Sequence, residues 1–236
     1  MTLDETMAAL KAMGTEQTRK TFVRHGASAD CMFGVKVGDM KTLVKKIKVD
    51  QALALKLFAT GNSDAQYLAG LIADDMAFTK KDLQAWADTA AWHMLGEYTV
   101  PWVAAGSPFG WEMANKWIDA KKPALQATGW STLSNIVGVK PDDELDLKAI
   151  EKLIGRVAKD VHAAANRVKY TMMGFLISVG CYVEPLSKLV KLTVPKIGKV
   201  EIDMGDTACK IPNPLEYIAK VESMDRLGVK RKQAKC

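Results

Sequence analysis

The segment TAAWHMLGEYTVPW, residues 89–102, places a carboxylate, an imidazole and aromatic rings close together along the chain. In a helix, His93 and Glu97 share a face because they are four residues apart, and Trp92 projects about 100° away from His93. Pro101 must end or kink that helix nearby. A carboxylate beside aromatic rings could stabilise a cationic sugar or a cationic base. The plain alternative is that Trp92 is a core residue and that His93 and Glu97 form a surface ion pair.

Motifs for other kinds of site are missing from the sequence. It contains neither G-x-G-x-x-G nor G-x-x-x-x-G-K-[ST], so a nucleotide cofactor is not expected. The histidines His25, His93 and His162 lie far apart and no H-E-x-x-H occurs, so we expect no metal site. An enzyme built on this chain would therefore work without a cofactor.

The cysteines and the apolar segments bear on where the protein acts. Cys31, Cys181, Cys209 and Cys236 are scattered without a C-x-x-C pair, which is typical of reduced thiols. The N-terminus has no basic region followed by an apolar run. The most apolar window, residues 172–183, is shorter than the roughly 20 residues that span a bilayer. These features predict a cytoplasmic protein that does not enter a membrane.

Charge is distributed unevenly along the chain. Residues 1–60 carry 10 basic and 6 acidic side chains, residues 61–150 carry 7 and 12, and residues 151–236 carry 16 and 9. All six tryptophans fall between residues 86 and 130, in the acidic part. Basic ends around a Trp-rich centre indicate a polyanion held at its flanks. Chance scatter of charge over solvated helices is the alternative.

Two groups of basic residues are the candidates for contact with a nucleic acid backbone. One group clusters in a single predicted helix and the other opens a later helix: Lys41, Lys45, Lys46 and Lys48, and then Arg167 and Lys169. Such residues release counterions from phosphates and supply most non-specific affinity for DNA. The last stretch, residues 226–236, has five basic residues and no acid and is expected to be a flexible basic tail. Solvated helix faces and a merely solubilising tail remain open as alternatives.

The apolar residues recur with helical spacing along most of the chain. Thr2 with Glu5 forms a capping box, and Thr79 with Asp82 opens a later segment in the same way. About a dozen short helices joined by short links predict an all-α domain built as an α-solenoid of antiparallel helix pairs. A compact orthogonal bundle is the competing architecture. We assign residues 1–225 to this one domain and residues 226–236 to the tail.

Only one stretch has the pattern of strands. In residues 196–211, KVEID and ACKI are joined through Met204-Gly205-Asp206 and could form a small β-hairpin near the C-terminal end.

Several of these segments resemble the AlkD-type DNA alkylation repair proteins, the HEAT-like repeat DNA glycosylases. The resemblance covers about residues 21–183. It rests on MFGVKVGDMKTLVKKIK (Met32–Lys48), on Trp92–Glu97, on ALQATGW (Ala124–Trp130) and on MMGFLISVG (Met172–Gly180). It implies a solenoid whose concave basic face holds double-stranded DNA. It also implies that the protein excises cationic alkylated purines without a metal or another cofactor. We expect the protein to be a monomer.

The functional residues of that family fall on altered positions here. The resemblance places Glu97 where the family has its catalytic Asp, and His93 where it has a catalytic Trp beside Trp92. Phe175 takes the place of a second Trp that packs on the sugar. A DNA-contacting Arg of the family falls on or near Ala127, so that charge is lost.

These substitutions leave three hypotheses. The first is a glycosylase for alkylated purines in which Glu97 is the essential carboxylate. The second is a non-catalytic DNA-binding protein that recognises distorted or branched duplexes by shape and charge. The third is a scaffold for protein interactions, which is a common use of HEAT-like arrays.

Overall fold

The computed structural model describes residues 1–235, and within them the regular secondary structure is entirely helical. Four single turns of 3₁₀-helix and one π-helical turn, Leu95–Thr99, stand between the α-helices. The α-helices are α1 (Leu3–Met13), α2 (Glu16–Arg24), α3 (Val37–Ile47), α4 (Gln51–Ala59), α5 (Ser63–Ile72), α6 (Lys80–Thr89), α7 (Val100–Gly106), α8 (Gly110–Ile118), α9 (Pro123–Val139), α10 (Leu147–Asp160), α11 (Asn166–Tyr182), α12 (Glu184–Ile197) and α13 (Pro214–Ser223).

Side-chain caps fix where many of these helices begin. The two predicted capping boxes are confirmed, since Thr2 and Glu5 satisfy each other's backbone N–H groups at α1, and Thr79 and Asp82 do so at α6. Such caps satisfy N–H groups that have no partner inside the helix. Local sequence therefore determines these boundaries.

The helices pack as neighbouring pairs stacked side by side. Helix α4 packs on α5, α8 on α9, and α11 on α12 and α13, while α9 and α11 pack against each other. Gly129 lets α8 and α9 approach closely, because a Cβ there would lie 2.7 Å from the backbone nitrogen of Ile118. This order of neighbours is the stacked array predicted from the sequence rather than an orthogonal bundle.

The apolar core consists of two clusters that share helices α8 and α9. The first cluster is built mainly on α3–α7 and contains Phe58, Trp86 and Trp117. The second is built on α8–α13 and contains Trp130 and Phe175. Because α8 and α9 contribute to both clusters, the two halves of the array form one continuous unit.

The predicted β-hairpin of residues 196–211 is wrong: no strand forms within residues 1–235. The turn itself is present, since Gly205 has φ +61° and its N–H donates to Asp203 Oδ1 at 2.8 Å. The backbone of Asp203, however, pairs with the Asn166 side chain through two hydrogen bonds of 2.7 Å. An isolated two-stranded hairpin is marginal in water, so anchoring to α11 replaces the second strand.

Residues 226–235, called here the C-terminal segment, run back over the ends of three helices. The N–H of Gly228 donates to the Cys181 carbonyl at the end of α11. The N–H of Arg231 donates to Gly138 at the end of α9, and Lys235 Nζ donates to Ala73 at the end of α5. The structure thus differs from the expected flexible tail. These carbonyls lack partners inside their helices, so the segment satisfies them.

Two further expectations concern thiols and membranes. Cys31, Cys181 and Cys209 are free thiols, and Cys236 lies outside the described residues. No helix formed by residues 1–235 is both long enough and apolar enough to cross a membrane.

Candidate functional site

The segment singled out by its chemistry contains an irregular helical turn. Leu95–Thr99 form a π-helical turn in which the N–H of Val100 reaches back five residues to the Leu95 carbonyl. Pro101 follows at the start of α7 and has no N–H to donate to the carbonyl four residues earlier. The wider turn changes the direction of the side chains, so the spacing of an ordinary helix no longer predicts which residues share a face.

Glu97 points into the protein and pairs with Arg167. Arg167 Nε donates to Glu97 Oε1 at 2.8 Å, and its Nη2 donates to Oε2. The Glu97 side chain is 3% exposed and that of Arg167 is 29% exposed. Burial raises the pKa of Glu97, while the hydrogen bonds and charge of Arg167 oppose that rise. The alternative of a surface ion pair between His93 and Glu97 is therefore wrong, because the partner of Glu97 is Arg167.

Arg167 was expected to bind DNA, and its contacts give it another role. In addition to the bidentate pair with Glu97, its guanidinium lies 4.4 Å from the centre of the Tyr170 ring. Its charge is thus largely matched inside the protein. Lys169, its neighbour in the prediction, is half-buried on α11.

His93 and Trp92 line an open cavity, and Trp92 also packs against the first core cluster. Burial, together with the charges of Arg167 and His25, lowers the pKa of His93 to about 4, so the imidazole is neutral at pH 7. Trp92 is half-buried, with its ring centre 5.7 Å from that of Phe22 and 5.1 Å from that of His93. Both residues lie at the wall of this cavity.

Phe175 and Ala127 do not reach this cavity. Phe175 is fully buried, and its ring centre lies 5.3 Å from that of Trp130 in the second core cluster. Ala127 is also buried, on α9. The assignment of Phe175 to packing against a sugar, which rested on the resemblance, is contradicted by its buried position.

The cavity that His93 and Trp92 line has a volume of about 490 Å³. Helix α2 with the loop after it, the π-helical turn, the start of α11 and residues 203–209 enclose it. Of the other lining residues, Tyr98 lies inside the segment that was singled out. The rest lie outside that segment and were not predicted to line a site: Phe22, Arg24, His25, Tyr170, Asp203 and Met204.

A second cavity of about 390 Å³ adjoins the first and shares Tyr98 and Tyr170 with it. Small polar residues of α9 and α11 line it, including Ser131, Asn135 and Ser178. Glu97 also borders it. Across residues 1–235, no three His, Cys, Asp or Glu side chains form a group that could hold a metal ion.

The lysines of α3 form the exposed basic surface. Lys41, Lys45, Lys46 and Lys48 are all exposed, and none of them forms an ion pair within the part of the chain that the structure describes. The opposite face of α3 packs into the core through Met40 and Leu43. The helix thus presents a row of free cations to solvent.

Comparison with known proteins gives a consistent family. The profile of the family described as DNA alkylation repair enzyme matches residues 6–182. Uncharacterized proteins from Listeria monocytogenes and Listeria innocua are each 28% identical over 94% of this chain and 98% of their own.

A solved structure is similar over its whole length. It is 34% identical, covers 100% of both chains and superimposes with a TM-score of 0.91. It belongs to a new family of proteins related to the HEAT-like repeat DNA glycosylases with affinity for branched DNA structures. The array of helix pairs described above is therefore the HEAT-like repeat fold.

Proposed function

The chain belongs to the DNA alkylation repair enzyme family, and from that premise we propose that it binds branched or distorted duplex DNA without excising bases. The proposal also includes the monomeric state and the cytoplasmic location expected from the sequence. It treats residues 1–225 as the DNA-binding domain.

The position of Glu97 is the observation that carries this proposal. A glycosylase of the expected kind needs a carboxylate that reaches the cation developing on the sugar. Here the carboxylate is 3% exposed and both of its oxygens accept hydrogen bonds from Arg167. Breaking a buried pair of this kind leaves a charge without a partner, which is strongly unfavourable. The only candidate carboxylate in the segment is thus held away from any bound DNA.

Two further observations support binding to branched DNA. The similar solved protein has affinity for branched DNA structures and shares 34% of its residues with this chain over its full length. The free lysines of α3 provide the cations that sequence-independent binding to phosphates requires.

The direct test is equilibrium binding to matched DNA molecules. Fluorescence anisotropy would compare a four-way junction, a three-way junction and a linear duplex with the same arm sequences, at several salt concentrations. We expect affinity for the junctions to exceed that for the duplex by about ten-fold or more and to fall steeply as salt rises. Equal affinity for all three, or no binding near physiological salt, would refute the proposal.

Excision of cationic alkylated purines is the second candidate, because aromatic rings and a carboxylate do lie beside the cavity. It is tested by measuring free base released from methylated duplex DNA by the wild type and by Glu97→Gln. We expect no release by either. Release by the wild type that Glu97→Gln abolishes would establish the glycosylase instead.

A further inference from the structure

The cavity lined by Trp92 and His93 has the size and the composition of a ligand site. Its volume of about 490 Å³ falls within the roughly 300–1,000 Å³ typical of small-molecule sites. It lies apart from the lysines of α3, none of which lines it. Binding to the DNA backbone through those lysines therefore leaves its role unexplained.

Aromatic rings form much of the wall of this cavity. Phe22, Trp92, Tyr98 and Tyr170 all line it. Trp92 packs against Phe22 and His93, at ring-centre distances of 5.7 and 5.1 Å, so its orientation is defined before any ligand binds. Aromatic side chains of this kind stack on nucleic acid bases that have left the duplex, whatever the base.

Polar groups beside the rings suit the edge of a base. The neutral imidazole of His93 offers one N–H donor and one acceptor nitrogen. Gly26 lies directly against it, because a Cβ at residue 26 would be 3.6 Å from His93 Cε1. The Tyr98 and Tyr170 hydroxyls add further hydrogen-bonding groups.

Two arginines at the same cavity provide positive charge for a phosphate. Arg24 is exposed in the last turn of α2, and Arg167 borders the cavity while paired with Glu97. Asp203 also lines the cavity, but its Oδ1 accepts the N–H of Gly205 and its backbone is held by Asn166. Arg24 is therefore the cation at this cavity that forms no ion pair within residues 1–235, and Asp203 keeps its negative charge.

We propose that this cavity receives one unpaired nucleotide of a branched DNA, with the base stacked on Trp92 and its phosphate at Arg24. This inference rests on the proposed binding to branched DNA. A base at a branch point has no partner to lose, so moving it into the cavity costs less than extruding a paired base. Residues 203–209 contribute to the wall around the nucleotide.

The test uses three-way junctions that differ only at the branch. One is fully paired, and the other carries two unpaired nucleotides, one of them 2-aminopurine. We expect the wild type to bind the unpaired junction about ten-fold more tightly and to quench its 2-aminopurine fluorescence. Trp92→Leu is expected to remove both the quenching and the preference.

Matched variants separate this effect from a general loss of structure. Trp111→Leu removes another half-buried tryptophan that lines neither cavity and is expected to keep the preference. If Trp92→Leu fails to fold, Arg24→Gln provides the second variant, because the exposed Arg24 contributes no core contact. It is expected to lower affinity for the unpaired junction by about five-fold, and Arg226→Gln, at another exposed arginine, is expected to keep that affinity.

The outcomes distinguish the inference from the function on which it rests. Equal affinity for both junctions, or quenching that persists in Trp92→Leu, overturns the assignment of the cavity while leaving binding to branched DNA intact. No binding to either junction overturns the proposed function itself. Equally tight binding of free dAMP would assign the cavity to a free nucleotide rather than to one within DNA, and would also overturn the inference.

Discussion

Helix α3 and the C-terminal segment are both rich in basic residues but use their cations differently. Lys41, Lys45, Lys46 and Lys48 of α3 are exposed and free of ion pairs within residues 1–235. In the C-terminal segment, Lys230 pairs with Asp142 at 2.6 Å and Lys235 pairs with Asp75 at 2.8 Å. Their side chains are only 18% and 17% exposed. Only the first group remains available for a polyanion.

The difference follows from what each region faces. The C-terminal segment crosses the carboxyl ends of α5, α9 and α11, where unpaired carbonyls and the helix dipole attract cations. Lys230 Nζ also donates to the Val137 carbonyl, and Arg231 Nη2 donates to Asn135 Oδ1 at 3.0 Å. Helix α3 has only solvent on its basic side. A count of basic residues therefore overstates the charge that residues 151–236 can offer to DNA.

The largest effect is expected from removing the inward-facing cations. The triple substitution of Lys230, Arg231 and Lys235 by Met removes the ion pairs of Asp142 and Asp75 and the side-chain donors to carbonyls at the ends of α9 and α5. We expect the free energy of unfolding to fall by about 4 kcal/mol, as measured by urea denaturation. Lys232→Met, at an exposed residue of the same segment, is expected to change it by less than about 0.5 kcal/mol. A triple variant as stable as the wild type would contradict the view that the cations of the C-terminal segment, unlike those of α3, stabilise the fold.

For α3 we expect the opposite result, a large loss of DNA binding with little change in stability. We expect weaker junction binding, by about 10- to 100-fold, when Gln replaces Lys41, Lys45, Lys46 and Lys48. The slope of log K against log salt concentration is expected to become shallower by about three. Stability is expected to stay within about 0.5 kcal/mol. Lys148, Lys152 and Lys159 of α10, changed together to Gln, serve as the control. An equal loss of binding in that control would show that α3 is not the interface.

His93 extends the comparison to a basic side chain that is uncharged at neutral pH. Its pKa is lowered to about 4 in the folded protein, from 6.5 in the unfolded chain. Between these values the unfolded chain binds more protons, so stability is expected to fall as pH falls from about 6.5 to about 4. Allowing for solvent at this half-buried residue, the loss is on the order of 1 kcal/mol.

The check is the difference between wild type and His93→Gln in urea denaturation across that range of pH. The variant is expected to lose less stability on acidification, and His162→Gln is expected to behave as the wild type. Parallel curves for wild type and His93→Gln would contradict the lowered pKa.

The smallest effect is expected at Lys48, which ends α3. Its φ of +63° and ψ of −131° lie in a region that side chains rarely adopt and glycine adopts readily. We expect Lys48→Gly to raise the free energy of unfolding by about 0.5–1 kcal/mol, while Lys46→Gly inside the helix lowers it by about 1 kcal/mol. Thermal denaturation of the two variants would show opposite shifts, and a loss in both would exclude strain at Lys48.

The fold was predictable because it depends on local signals. The helical spacing of Leu43, Val44 and Ile47 and the capping boxes of α1 and α6 all appear in the structure as expected. The prediction of a hairpin was wrong because strand patterning in residues 196–211 does not reveal a distant partner. The Asn166 side chain forms hydrogen bonds with the backbone of Asp203. Local patterns thus specify helices but not their long-range partners.

The candidate site was predictable only in part. Trp92 and His93 were found because they lie together in one segment, and both line the cavity. The partner of Glu97 could not be found, because Arg167 lies 70 residues away and the π-helical turn changes the face on which Glu97 lies. The prediction for Phe175 was wrong for a related reason, since packing against α9 determines which face of α11 is buried.

The path of the C-terminal segment has a consequence for how cooperatively the helix pairs unfold. In a repeat array each unit contacts only its neighbours, so the ends can fray independently of the middle. Lys235, however, reaches Ala73 across 162 residues of sequence, and Arg231 reaches α9 on the way. Opening the last helix pair therefore withdraws contacts from pairs in the interior. Amide protons of α5, α9 and α11 should then exchange with solvent in a single global event rather than one repeat at a time.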